Sequence, residues 1–519
     1  MKKMFKTIFI YLGVMLLALI ATVIFCAGFL FFYREGNIFG IQYISMDEVL
    51  YARDNEDMSD LQTIELYSES FDVKISVNEN VDSLIGAMKN RVFGYAKKSK
   101  AQASFLLEYD EVSKTAVFDS VQPQGWLNKK KSFIEIAIPQ SIVDSGCNLV
   151  IKTSKADINI KGVEDWTVGN VTIESSKGDV KITNVNISNS INFNIGSGSV
   201  YIDETCTTKS TIDCQIKVGS GTIDLTKINT DEFSFGVIEI KSIKRGKIGI
   251  IKAEELITNG NINGGGRIEV GDVGFVDFTS LDTDIFIKNI NGVEGSDADK
   301  STITITGNGE VWINKAESDL EISGHNGDIY VNVATETMVL TANQGDIEVD
   351  NATKLVSPTT TYGNIDIQFS AGALDYSSIN ENRAVVATTK NGHIIVKGLQ
   401  YGVIEATDKG RISLEYDKVV GANNIIAKSG VVNIVVPNPT ENSETDEFAF
   451  NLKVNSEVNC DIKVGVVGDL GAMNPVDYSG SGVKEFSNIY NSGTATTNTL
   501  NASSTTGIIK IRSRDLIGF

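Results

Sequence analysis

The chain has 519 residues, with 46 basic against 66 acidic groups, two histidines, five cysteines and six prolines. Four of the basic residues precede position 35, so the remainder sets 42 basic against 66 acidic groups, a net −24 that repels nucleic acid and favours divalent cations. Five cysteines are too few for a disulfide scaffold.

Residues 1–6 read as a cytoplasmic tail and 7–33 as a transmembrane helix: Thr7 to Tyr33 carries no charge and is long enough for ~30 Å of hydrocarbon. Lys2, Lys3 and Lys6 precede it, whereas Glu35, Asp47 and Glu48 soon follow Arg34. The positive-inside rule then places the N-terminus in the cytoplasm and the rest of a single-pass cell membrane protein outside. A cleaved signal peptide is the rival, but the stretch is too long for one, and Phe25 makes a poor lipoprotein processing site before Cys26. The end, Ile517-Gly518-Phe519, carries no hydrophobic tail or sorting signal, so the helix is the expected attachment.

Residues 34–60 form a polar juxtamembrane linker, and 61–140 an opening β cap. Its strands, Thr63 to Leu66, Phe71 to Val77, Ser104 to Glu108 and Phe133 to Ile138, alternate but are unevenly spaced, as expected of a cover for the first coil. Basic clusters at Lys97, Lys98 and Lys100 and at Lys129, Lys130 and Lys131 suit anionic lipid or wall polymer, or are solvated loop tips.

From 141 to 437 one unit recurs. Gly327-Asp328-Ile329-Tyr330-Val331, Gly345-Asp346-Ile347-Glu348-Val349 and Gly363-Asn364-Ile365-Asp366-Ile367 follow one another at 18 residues. Gly178, Gly198, Gly221, Gly392, Gly410 and Gly430 open similar units. The alternating triplet predicts a strand with one buried face, the glycine a corner with φ > 0, and the polar residue after it a side chain bonded to its own turn. A second alternating strand precedes each corner, as with Ile191, Phe193 and Ile195 before Gly198. Self-similarity at this period predicts an all-β, narrow β-solenoid of stacked two-strand coils of about 18–20 residues. Residues 438–495 break the pattern as an irregular insertion or exit cap, in which Phe448 to Val454 and Asp461 to Val467 alternate like a hairpin; 496–519 return to it as a final coil. Cys206 and Cys214 are close enough in sequence to bridge, although buried free thiols are the expected state.

Phe133 to Pro139, a spacer, Asn148-Leu149-Val150-Ile151-Lys152-Thr153-Ser154 and then Ala156-Asp157-Ile158-Asn159-Ile160 resemble the opening of the bacterial DUF4097 family of adhesin-like surface proteins, and the likeness runs from about Ile64 to Ile511. Ala156 and Thr283 replace the usual glycine, so tighter or distorted corners are expected there. The resemblance implies a repeat ectodomain and carries over no catalytic residues.

His325 and His393 both fall at corners, and no acid/base set stands out, so an enzyme is not expected and no catalytic residues are assigned. Two ladders are candidates. The outward positions Phe286, Trp312 and Tyr330 stack if their units are in register, forming an aromatic platform for sugar rings or simply cross-strand packing. Asp284, Glu310, Asp328 and Asp346 precede the triplets as Ca²⁺ ligands or solvated turn carboxylates; no other cofactor is expected. The reading is a non-catalytic, membrane-anchored surface protein, an adhesin-like binding or envelope scaffold module whose partner is a cell-envelope glycan or a surface protein. The alternative is the ligand-sensing ectodomain of an envelope-stress or signalling system.

Overall fold

The computed structural model describes residues 2–34, 37–38, 41–42, 49–53, 58, 60–69, 71–78, 80–90, 105–120, 132–163, 166–208, 210–260, 262–292, 300–370, 383–437, 449–465, 476–489 and 496–514. Both basic clusters of the opening cap and the acidic loop at 440–447 lie outside these residues. A helix runs over Lys2–Arg34, and its Thr7–Ala27 segment, with mean hydropathy 2.8, is long and apolar enough to cross a membrane. Every side chain of that segment is exposed, so apolar surface faces outward all round. The described residues are otherwise mostly strand, in two compact units: Met1–Cys214 with Gly221–Ser234, and Gln215–Ser220 with Phe235–Phe519.

In the second unit the coil is seen most plainly where Ile329–Ala334 and Met338–Ala342 lie in parallel register on Ile347–Ala352 and Val356–Thr360. Ile329, Val331, Ile347 and Val349 are buried, each worth roughly 2 kcal/mol that no coil could realise alone. After Val331 two consecutive residues face outward, the strand bends, and Ala334 turns in to stack with Ala316 and Ala352.

Glycine at the first corner answers to a close approach. A Cβ on Gly345 would lie 2.0 Å from the carbonyl oxygen of Gly327, and one on Gly363 1.9 Å from that of Gly345. Neither of these two glycines has positive φ, so the expectation of a left-handed corner is corrected: the coils stack too tightly for a side chain. Gly178, Gly198 and Gly430 combine both demands. Ala156 and Thr283 stand at positions where later coils have glycine, and their own carbonyls are overlain by Gly178 and Gly309.

Chain order and stacking order differ in each unit. In the first, Thr63–Ser68 and Asp72–Val77 are sandwiched between Cys147–Thr153 and Ile158–Lys161 on one side and Thr115–Ser120 and Ser132–Ile138 on the other. The expected cap is therefore two further coils, covered by the antiparallel strands Ile85–Asn90 and Phe105–Asp110. In the second unit Thr499–Ser504 and Ile508–Ser513 lie between Ala422–Ser429 and Val431–Val436 on one side and Phe450–Val464 on the other. Phe450–Val464 pairs antiparallel with Val476–Ile489, so the hairpin expected of 448–454 with 461–467 forms instead between these two longer strands. Asn423 ties this region together: fully buried, its Oδ1 accepts from Gly402 N (2.7 Å) and the Tyr416 hydroxyl (3.1 Å), and its Nδ2 donates to the carbonyls of Val420 (2.9 Å) and Thr499 (3.3 Å). Cys206 and Cys214 are buried free thiols, and burial pushes the Cys206 thiol up to about 11.

Gly345→Ala is expected to cost about 3 kcal/mol in urea unfolding, because the added Cβ meets backbone that cannot rotate away. Truncation after residue 495 should sharply lower protection of Phe450–Val464 in hydrogen exchange, since its parallel neighbours are removed and only the antiparallel strand Val476–Ile489 remains beside it.

Candidate functional site: an aromatic and acidic sheet face

Because Ile and Val of each triplet point inward, the middle residues form an outward row on the second unit: Phe286, Trp312, Tyr330, Glu348 and Asp366, each in register with the next. The Phe286 and Trp312 ring centroids are 5.9 Å apart, and those of Trp312 and Tyr330 5.2 Å apart in an edge-on arrangement of 86°. Such contacts add about 1 kcal/mol each to the sheet. The rings are not equally open. The Arg267 guanidinium lies 3.9 Å over Phe286, while Arg267 also bonds Glu269 at 2.7 Å. Tyr330 donates to Asp350 Oδ2 at 2.7 Å, and that carboxylate, with partial burial, pushes the phenol up to about 12. Trp312, 50% exposed, is the most open of the three rings.

The corner acids have a structural task. Asp284 Oδ1 accepts from Glu310 N at 3.1 Å, Asp328 Oδ1 from Asp346 N at 2.8 Å, and Asp346 Oδ1 from Asn364 N at 2.7 Å. Each side chain therefore bonds the backbone of the following coil, where the sequence suggested its own turn. Asp72, Asp157 and Asp179 do the same in the first unit. The four carboxylates form a ladder, and among the described residues no group of three or more His, Cys, Asp or Glu is arranged to hold a metal ion.

Three acids beside the ladder were not singled out from sequence: Glu348, Asp350 and Asp366. Glu348 and Asp366 were readable as the middle residues of the next two triplets, continuing the aromatic row. Partial desolvation, reinforced by Asp350, Asp366 and Asp346, raises the Glu348 carboxyl above its ordinary value; desolvation does the same for Asp366, against the pull of Lys397. The matching row in the first unit is Lys74, Asn159, Lys181 and Tyr201. There an open groove of about 430 Å³ runs between this row and the corner aspartates, with Lys181 Nζ 5.5 Å over Tyr201. His325 and His393 are exposed at corners, and His393 N donates to Asn364 Oδ1 at 2.9 Å.

The chain matches the Toastrack DUF4097 family over residues 61–302 and 283–512, most of its length, and belongs to that family. No curated protein and no solved structure matches it.

A raised folded-state value means that the ionised Glu348 opposes folding, fully so above that value and not at all below the ordinary 4.5. Glu348→Gln is therefore expected to raise the thermal midpoint at pH 7, with the gain shrinking to nothing as pH falls through the carboxylate range.

Proposed function

We propose that this Toastrack chain is a non-catalytic, membrane-anchored surface module whose second unit binds an envelope glycan on the face around Trp312. The family match and the single N-terminal apolar helix support the anchored module, and the charge pattern around the helix, with lysines before it and acids after, supports an extracytoplasmic placement of the strands. The observation that carries the binding reading is a half-exposed tryptophan at an outward sheet position, flanked in register by Phe286 and Tyr330. A large apolar side chain held open to water on a rigid sheet suits the flat face of a pyranose, and carboxylates beside it suit sugar hydroxyls. The full chain in lipid nanodiscs, presented with a glycan array and purified cell-wall fragments, tests it. Trp312→Ala is expected to weaken retention at least tenfold while leaving the circular dichroism unchanged; equal retention by the variant sinks the reading.

A further inference from the structure

Fold requirements explain the inward residues and the corner acids, but they do not dictate what stands at the outward middle positions. On the first unit those positions carry Lys74 and Lys181 beside the corner aspartates, and both lysines have carboxylates near them, Glu135 at 3.8 Å and Asp203 at 3.9 Å. Across the rungs from Trp312 to Asp366 the second unit does the opposite. There the row that follows the corner acids Asp328 and Asp346 carries Tyr330, Glu348 and Asp366. Among the described residues no lysine or arginine nitrogen lies within 4.0 Å of Asp328, Asp346 or Glu348. On other faces of the same coils the acids are paired: Glu321 with Lys300 at 2.5 Å, Glu336 with Lys354 at 2.5 Å, and Glu317 with Lys315. Lysines are thus placed beside acids elsewhere on these coils, whereas in the patch beside the exposed indole none is paired with Asp328, Asp346 or Glu348, and Asp366 feels the more distant Lys397.

We propose that this face docks an amine-bearing glycan, its ammonium groups meeting Asp328, Asp346, Glu348 and Asp366 while a sugar ring packs on Trp312. The inference rests on the glycan reading above and specifies its charge. Charge complementarity selects a cation: like charges repeated at the coil spacing of about 4.8 Å repel one another until a cation lies among them, and aromatic rings attract ammonium groups as well. The periodicity selects a polymer. A ladder presenting an equivalent carboxylate at each coil suits a ligand that repeats along one axis, and the ring contact selects a sugar chain over a flexible basic peptide.

Calorimetric titration of the full chain in nanodiscs tests this with three probes: a β-linked glucosamine hexamer with free amines, the same hexamer fully N-acetylated, and a hexalysine peptide. The free-amine hexamer at pH 5.5 is expected to bind at least tenfold more tightly than the acetylated one. Glu348→Gln together with Asp328→Asn, which keeps an oxygen for the Asp346 backbone, should remove most of that difference, and Trp312→Ala should weaken both sugars. Equal binding of the two hexamers, abolished by Trp312→Ala, overturns the amine inference and leaves the glycan reading standing. Hexalysine binding as tightly as the free-amine sugar, and unaffected by Trp312→Ala, overturns the choice of a glycan. Binding by none of the three overturns the proposal for this face.

Discussion

The carbonyl of one corner glycine lies where the Cβ of the next would be. From that approach of about 2 Å, repeated at Gly309, Gly327, Gly345, Gly363 and Gly392, most of the architecture follows. It fixes the coil spacing at the first corner and with it the in-register parallel pairing of the strands that leave it. It also brings each corner carboxylate within reach of the next coil's amide, as between Asp328 and Asp346. The interior then fills with aliphatic layers whose partners lie about one period away, while the second corner stacks Ala316, Ala334 and Ala352 between the larger Ile290 and Phe369.

Residues fixed by stacking and residues free to vary therefore occupy different columns of the repeat. Glycine, one oxygen of each corner acid and the inward pair are committed to stacking, and their recurrence by itself says little about a ligand. The outward middle residue is free, and the two units use it differently: lysine, asparagine and tyrosine in one; phenylalanine, tryptophan, tyrosine and then two acids in the other. Even within the aromatic row the roles diverge, since Arg267 covers Phe286 and Asp350 holds Tyr330, both half-buried, and Trp312 is the most open to solvent.

The β-solenoid, its period and the registry of Phe286, Trp312 and Tyr330 were legible because a strand alternates strictly and the period is constant from Gly327 to Gly363. The reason for the glycines was not legible, because a close approach and a positive φ select the same residue. The destination of the corner carboxylates was also hidden: a side chain reaching the next coil bonds a residue eighteen positions away, which no local turn pattern reveals. The coils at 63–77 and 115–138 escaped notice because intervening residues stretch the spacing between equivalent strands well beyond eighteen. Glu348 and Asp366 were within reach, yet a search for aromatic residues stops at Tyr330.

The exchanged order of coils bears on how the chain is completed. Segment 450–464 has its parallel neighbours in 499–504 and 508–513, residues synthesised after it. Of its native partners only Val476–Ile489 precedes them in the chain, and the coil ending at Val436 has them as its neighbour on this side. The outer layer therefore cannot close progressively behind the emerging chain, as a simple stack would. Its native pairing is complete only once the polypeptide extends through residue 513.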